Sequence, residues 1–347
     1  MQNTAYGVAE VTAAQFLTRD LSTVLLLIKK IDDDGRLSLL SRYLDPAWSI
    51  EVVDTDNLAE FDRALARADA IVSMNWKSNL PAAAHLKLVQ LPGAGTDEID
   101  FSLIANSTAV CNCFEHEIGI AEYVLAGMLE WTIRIRDLDP QFRAGSWAGS
   151  YLCGPRHGEL FGKTVGIVGY GRIGREVARR AKAFGMNILA CTRSPQQNDE
   201  FVETVWDMQR FSDLLGESDF VVVTSPLNEQ TRGLFDENAL RRMRPSAVII
   251  NVARGTIIDE AALYRALKEK RIAGAIIDVW YRYPPQGEPN GPRPSSFPFE
   301  ELHNVIMTPH VSAWTDALLP RRNQAVAANM NRLLRGEPLI NVVKASA

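Results

Sequence analysis

The sequence has few cysteines, little net charge and no long apolar run. Its 347 residues include four cysteines, and no two of them form a Cys-x-x-Cys pair. No apolar run approaches the ~20 residues that a membrane-spanning helix needs. The first residues also lack the basic and apolar segments of a secretory signal. We therefore expect a cytoplasmic protein with reduced cysteines, without a metal site and without membrane association.

The charge balance argues against nucleic acid as a partner. The chain has 37 Lys and Arg residues against 42 Asp and Glu residues, which gives a net charge of −5. Binding to phosphate backbones favours a basic surface instead. Hydrophobic residues make up 46% of the chain, which excludes a disordered protein. The length predicts roughly two domains.

Short apolar runs alternate with helical patterns along the whole chain, which predicts α/β architecture with parallel sheets. In the N-terminal part the predicted strands are Val24–Ile28, Ala70–Ser73, Leu88–Leu91 and Ala109–Cys111, with a helix at Leu58–Ala68. In the second series they are Thr164–Val168, Asn187–Cys191, Phe220–Thr224, Val248–Asn251, Ala275–Asp278 and Val305–Met307.

Longer features separate these series. A helix is predicted over about Gly119–Asp137, with Pro140 just beyond it. The proline-rich segment Tyr283–Pro298 is predicted to be a long surface loop. The chain ends in a predicted helix at about Arg321–Leu334, followed by Gly336.

A glycine-rich turn predicts a dinucleotide site. Gly169-Tyr170-Gly171-Arg172-Ile173-Gly174 matches G-x-G-x-x-G and lies between a predicted strand and a predicted helix. The first glycine permits the tight turn, the second lets the backbone approach a pyrophosphate, and the third lets helix and strand pack closely.

The end of the next strand favours NADP over NAD. An NAD site places a carboxylate there to hold the ribose hydroxyls, but this chain has Cys191-Thr192-Arg193-Ser194. The Arg193 guanidinium and the hydroxyls of Thr192 and Ser194 suit a 2′-phosphate instead. NAD remains the alternative cofactor.

Further motifs follow in a fixed order. They are Thr224-Ser225-Pro226-Leu227, Asn251-Val252-Ala253-Arg254-Gly255, Ala275-Ile276-Ile277-Asp278-Val279 and Thr308-Pro309-His310. With the glycine-rich turn, this ordered set resembles the D-isomer-specific 2-hydroxyacid dehydrogenase family from about Leu88 to the C-terminus.

The resemblance implies two Rossmann-like, doubly wound parallel-sheet domains and a homodimer. The cofactor domain, 117–314, would be inserted into a flavodoxin-like substrate domain formed by 1–116 plus 315–347. The reaction would transfer a hydride between a nicotinamide and a small 2-keto or 2-hydroxy acid.

The resemblance also implies site residues. Arg254 would hold the substrate carboxylate and polarise the reacting carbonyl, and His310 would be the acid/base. The substrate residues would be Gly93, Ala94, Gly95, His116 and Asn75. The cofactor residues would be Gly169, Tyr170, Gly171, Arg172, Ile173, Gly174, Thr192, Arg193, Ser194, Thr224, Pro226, Thr231, Val252, Ala253, Asp278 and Ser312.

The chain departs from the family where a glutamate usually pairs with the histidine. Five residues after Asp278 stands Tyr283, followed by Pro284, while an insertion in the loop would align Glu288-Pro289 instead. Both Tyr283 and Glu288 are therefore candidates. A carboxylate beside His310 would raise its pKa, whereas a tyrosine could offer only a hydrogen bond.

Two other functions stay open at this point. Formate dehydrogenases of the same superfamily also lack the glutamate and share an Asp-Val-Trp run like Asp278-Val279-Trp280. Corepressors with this fold bind dinucleotides and protein partners while keeping the catalytic residues. The favoured interpretation is an NADP-preferring 2-keto acid reductase.

Overall fold

The computed structural model describes residues 24–28, 35–77, 80–81, 86–195, 200–285, 288 and 290–346. The chain divides into two compact units. The first contains residues 1–115 and 316–347, and the second contains residues 116–315. Residues 1–23 of the first range, and Pro289 of the Glu288-Pro289 pair, lie outside the described residues.

The first unit is built on one sheet with the strand order β13-β5-β4-β3-β1-β2. The strands are β1 (Val24–Ile28), β2 (Ser49–Val53), β3 (Ala70–Val72), β4 (Leu88–Gln90), β5 (Ala109–Cys111) and β13 (Val342–Lys344). The helices are α1 (Arg36–Ser41), α2 (Leu58–Leu65) and α9 (Leu318–Arg335). The all-apolar sequence of β1 is buried over Leu25–Ile28, as expected for a central strand covered on both faces.

The predicted strands β1, β3, β4 and β5 lie in one parallel sheet, as expected. Strand β2, which pairs parallel with β1, was not predicted, and neither was β13. Strand β13 pairs antiparallel with β5, with Val342 opposite Cys111. Its burial pattern is intermediate and exposed, as befits an edge strand. Short edge strands carry a weak hydrophobic pattern, so the sequence did not indicate it.

A buried amide pair ties α9 and the segment after it to the sheet. The Asn329 side-chain amide donates to Gln90 Oε1 (2.8 Å) and to the Ile340 carbonyl (2.9 Å), and Asn329 Oδ1 accepts the Ile340 N–H (2.9 Å). Gln90 Nε2 donates to the carbonyl of Leu91 (2.9 Å). Gln90 and Asn329 are each 1% exposed; the bonds of Gln90 are buried and those to the Ile340 backbone are partly buried.

The second unit is a seven-stranded parallel sheet with the order β12-β11-β10-β9-β6-β7-β8. Its strands are β6 (Thr164–Val168), β7 (Asn187–Cys191), β8 (Val205–Trp206), β9 (Phe220–Val223), β10 (Val248–Asn251), β11 (Gly274–Ile277) and β12 (Val305–Met307). Its helices are α3 (Glu117–Ile133), α4 (Ile135–Arg143), α5 (Arg172–Ala183), α6 (Phe211–Glu217), α7 (Glu237–Arg242) and α8 (Glu260–Lys268). The strand order reverses between β6 and β9, which creates a crevice at their carboxyl ends.

The prediction of one helix over Gly119–Asp137 is wrong. Helix α3 ends at Ile133, and α4 starts after Arg134, whose φ of 63° is left-handed. Pro140 lies inside α4 rather than beyond the helix. The Arg134 side chain bonds to Asp137 (2.8 Å) across this break, which helps to start the second helix.

The described part of Tyr283–Pro298 contains no helix or strand, which agrees with the predicted loop. Within the described ranges, no helix is both long and apolar enough to span a bilayer.

The amide pair provides a test of the first unit. Replacing Asn329 with Ala removes one buried and two partly buried bonds and leaves Gln90 Oε1 without this donor, which should cost about 2–3 kcal/mol of unfolding free energy. Urea denaturation measures this loss. The control Gln324→Ala, on the exposed side of the same helix, should change stability by less than about 0.5 kcal/mol. Equal effects of the two variants would show that the amide pair does not anchor α9.

Candidate active site

The glycine-rich turn between β6 and α5 has the geometry that a dinucleotide needs. Gly169 has a φ of 98°, and a Cβ there would lie 2.4 Å from the backbone nitrogen of Ser225. A Cβ at Gly174 would lie 2.8 Å from the Gly169 carbonyl oxygen, whereas a Cβ at Gly171 would meet nothing within 4 Å. The first and third glycines therefore serve packing, and the open space at the second is left for a ligand.

The start of α5 is also suited to an anion. Gly171 occupies the N-cap position and supplies no side-chain cap. The first N–H groups of a helix carry partial positive charge and bind phosphates. The neighbouring predicted residues Tyr170, Arg172 and Ile173 lie in this same turn. The residues present therefore fit the pyrophosphate of a dinucleotide.

The carboxyl end of β7 carries no acidic side chain. Thr192 is half-buried, Arg193 and Ser194 are exposed, and the Thr192 N–H donates to the Trp206 carbonyl (3.0 Å). Asp207 follows β8 nearby. Its carboxylate accepts the N–H of Gln209 (2.9 Å), so it caps a short helical turn.

The turn after β9 borders the crevice. The Thr224 hydroxyl donates to the Gly169 carbonyl (2.6 Å), and the Thr231 hydroxyl donates to Pro226 (2.6 Å), which closes the turn after β9. Ser225 was not singled out from the sequence. It is 6% exposed, and its hydroxyl oxygen has no hydrogen-bond partner among the described residues. A buried polar atom of this kind at a crevice edge points to a ligand.

The turn after β10 places Arg254. Asn251 organises it, since its side chain donates to the Arg254 carbonyl (3.0 Å) and accepts the Ala253 N–H (3.1 Å). Val252 and Ala253 are buried, and Arg254 is half-buried with extended backbone. A Cβ at Gly255 would lie 2.4 Å from the Trp280 carbonyl oxygen, so this turn packs closely against the segment after β11.

Asp278 is fully buried at the end of β11 and accepts three hydrogen bonds. They come from the Thr308 hydroxyl (2.6 Å), the Val311 N–H (2.8 Å) and the Ser312 N–H (2.9 Å). These donors flank His310, which has a left-handed φ of 60°. The carboxylate therefore fixes the turn that carries His310.

Tyr283 is the residue placed beside His310. The two ring centroids lie 5.5 Å apart, and the Tyr283 hydroxyl accepts the Trp280 N–H (3.0 Å). Glu288 is exposed, and its N–H donates to the Pro285 carbonyl (3.1 Å). Among the described residues, Tyr283 and not Glu288 contacts the imidazole.

Arg254 acts electrostatically on both rings. His310 is exposed, but desolvation by the groups around it lowers its pKa below the ordinary value; Asp278 opposes this shift, and Arg254 adds to it. Partial burial raises the pKa of Tyr283, whereas its bond from Trp280 and the charge of Arg254 lower it. The cluster thus combines a fixed positive charge with an imidazole that favours its neutral form.

His116 is 8% exposed and stands at the N-cap position of α3, in the second unit. The other predicted substrate residues lie in the first unit, after strands of its parallel sheet. The carbonyls of Gly93 and Ala94 accept from the Cys113 N–H (3.0 Å) and the Asn112 side chain (2.9 Å).

These bonds use the carbonyl groups of the loop and leave the N–H groups of Ala94 and Gly95 uninvolved. Asn75 follows β3, and its carbonyl accepts the Ser73 hydroxyl (2.6 Å).

Comparison with known proteins identifies related sequences. Residues 125–312 match the family model described as D-isomer specific 2-hydroxyacid dehydrogenase, NAD binding domain. A glyoxylate reductase from Korarchaeum cryptofilum is 35% identical over 76% of this chain and 77% of that protein. A D-3-phosphoglycerate dehydrogenase from Archaeoglobus fulgidus is 33% identical over 76% of this chain. The chain spans about half the length of that dehydrogenase, 48%.

A solved structure shows the same architecture. It is a D-isomer specific 2-hydroxyacid dehydrogenase from Xanthobacter autotrophicus in complex with NADPH and MES. The TM-score is 0.73 at 25% sequence identity, over 93% of this chain and 98% of the other.

The electrostatics of the cluster can be tested on the protein alone. Replacing Tyr283 with Glu should raise the pKa of His310, because a carboxylate beside the imidazole stabilises its charged form. Nuclear magnetic resonance titration reads this directly, since the chain has five histidines and His310→Gln assigns the signal. Tyr283→Gln is the neutral control. If Glu and Gln gave the same pKa, residue 283 would not lie beside the imidazole.

Proposed function

The chain belongs to the D-isomer-specific 2-hydroxyacid dehydrogenase family, and on that premise we propose that it reduces a small 2-keto acid to the D-2-hydroxy acid with NADPH. The observation that carries this proposal is the cluster of Arg254, His310 and Tyr283 at the carboxyl edge of a dinucleotide-binding sheet. Unit 116–315 would be the cofactor domain, and the other unit would be the substrate domain.

The glycine-rich turn would hold the pyrophosphate, and the residues after β9, β10 and β11 would line the nicotinamide half. A reduced nicotinamide, when bound, supplies the hydride that reaches the keto carbon. Asp278 would stand near that ring, although its carboxylate oxygens already accept from Thr308, Val311 and Ser312. Its main contribution would be to hold the turn that carries His310.

Arg254 would bind the substrate. A guanidinium can hold a carboxylate through two parallel hydrogen bonds and can also polarise the keto oxygen. As the keto carbon accepts a hydride, negative charge develops on its oxygen, and Arg254 stabilises this charge.

His310 would donate the proton to the developing alkoxide. Its lowered pKa means that the ring is largely neutral at neutral pH and must take up a proton before each reduction. The rate of reduction should therefore fall as pH rises through this pKa. Tyr283 would orient the imidazole by contact and, unlike a glutamate, would not favour its charged form.

NADP would be preferred because Arg193 and the hydroxyls of Thr192 and Ser194 stand where an NAD enzyme has a carboxylate. In this arrangement Arg193 would contact the 2′-phosphate.

The protein would act as a homodimer. Helix α4 and the loop after it expose large apolar side chains, which in a soluble protein mark an interaction surface. They are Ile135 (56% exposed), Phe142 (58%), Trp147 (60%), Tyr151 (94%), Leu152 (70%) and Phe161 (75%). The exposed thiol of Cys153 fits a reducing compartment such as the cytoplasm.

The activity and the cofactor preference are tested together. Purified protein is assayed with NADPH and NADH against glyoxylate, hydroxypyruvate, pyruvate and bulkier 2-keto acids. We expect turnover that favours NADPH. Arg193→Asp should lower the NADPH-to-NADH preference by about 10- to 100-fold, as expected for losing hydrogen bonds to a charged group.

The control Arg242→Asp makes the same charge change at the end of α7 and should leave the preference unchanged. No turnover of any keto acid would refute the reductase assignment. Reduction of NAD by formate would then identify a formate-type enzyme, and tight nucleotide binding without turnover would identify a dinucleotide-sensing protein.

A further inference from the structure

A chain of hydroxyl groups leads from α3 to the buried carboxylate of Asp278. The Tyr123 hydroxyl lies 2.6 Å from Thr308 Oγ1, and Thr308 Oγ1 lies 2.6 Å from Asp278 Oδ1. Tyr123 is half-buried on α3, and Thr308 follows β12. These residues are 185 positions apart in the sequence.

The protons in this chain can point in only one direction. An ionised carboxylate has no proton to donate, so Thr308 must donate its single hydroxyl proton to Asp278. Thr308 Oγ1 can then act only as acceptor toward the phenol, and Tyr123 must donate to it. Such aligned hydrogen bonds polarise one another in a poorly solvated interior.

The Asp278 carboxylate also binds the turn that carries His310. Its other two bonds come from the N–H groups of Val311 and Ser312, immediately after His310. The Trp280 indole also donates to the Thr308 carbonyl (2.8 Å), so the residue before Pro309 is held at both its side chain and its backbone. A left-handed non-glycine residue persists only where its surroundings fix it.

We propose that Tyr123 and Thr308 are positioning residues for His310, which act through Asp278 and the 308–312 turn. This inference rests on the proposed function in one respect, namely that His310 is the proton donor. Neither hydroxyl would touch the substrate. Their loss would let the turn move and would displace the imidazole from the reacting oxygen.

Three variants test this proposal. Tyr123→Phe removes the outer hydroxyl, Thr308→Val removes the inner one, and Thr308→Ser retains it. Tyr264→Phe is the matched control. The Tyr264 ring stacks on Phe297, with the two ring centroids 5.1 Å apart, and its hydroxyl is not part of the chain from Tyr123 to Asp278.

The first readout is steady-state kinetics with NADPH and the best 2-keto acid. Thr308→Val should lower kcat by about tenfold or more, because a small misplacement of a catalytic group is costly. Tyr123→Phe should have a smaller effect in the same direction. The KM for the keto acid and the Kd for NADPH should stay within about twofold, since neither hydroxyl binds them. Thr308→Ser should retain most of the wild-type kcat.

The second readout is amide hydrogen exchange in peptides covering residues 308–314 of the protein without added ligand. Exchange there should be faster in Thr308→Val and Tyr123→Phe, but not in Thr308→Ser or Tyr264→Phe. Because this measurement needs no turnover, it decides whether the hydroxyls hold the turn even if the wild type reduces none of the acids.

Unchanged exchange, or equal losses in Thr308→Ser and Thr308→Val, would overturn the proposal. A rise in KM with kcat retained would also overturn it, since it would place the hydroxyls in substrate binding.

Discussion

The buried carboxylate of Asp278 is the interaction on which the candidate active site depends. It is fully enclosed, and burying a charge is tolerated only when hydrogen bonds satisfy it. The three donors that do so come from the turn around His310. Satisfying this one charge therefore determines the path of the chain that carries the imidazole. The same strand end continues into Trp280, which binds both Thr308 and Tyr283.

The charges around His310 differ from those of a histidine paired with a carboxylate. Desolvation and Arg254 favour the neutral ring, and the enclosed Asp278 favours the charged one. Tyr283 adds contact without charge. If His310 donates the proton as proposed, it loses that proton at a lower pH than a histidine whose pKa a carboxylate raises. In the proposed reaction, Tyr283 therefore stands beside His310 in the place of a group that would raise its pKa.

Much of the second unit could be predicted from sequence because each motif there is local. Val248–Asn251 and Val305–Met307 are short apolar strands, and both are found with the predicted bounds. The glycine-rich turn could also be predicted, because Gly169 adopts a positive φ, which favours glycine. Family membership followed from the order of these motifs.

Features that depend on contacts distant in sequence could not be predicted. Nothing in the sequence distinguishes Tyr123 from the other residues of a largely apolar helix. Its bond to Thr308 exists only in the folded unit. The choice between Tyr283 and Glu288 depends on the path of a proline-rich loop, which residue spacing does not determine. The break at Arg134 was missed because helical periodicity continues across it. Ser225 was noted only as part of the Thr224–Leu227 motif, because burial without a hydrogen-bond partner is a property of the structure alone.

The most direct test of the central claim is the fate of the transferred hydrogen. Reduced nicotinamide cofactor that carries deuterium at both C4 positions is incubated with the protein and a 2-keto acid of three or more carbons, and the product is examined by mass spectrometry and chiral chromatography. Direct hydride transfer in this active site predicts one deuterium at C2 of a D-2-hydroxy acid. A product of L configuration, or one without deuterium, would contradict the account.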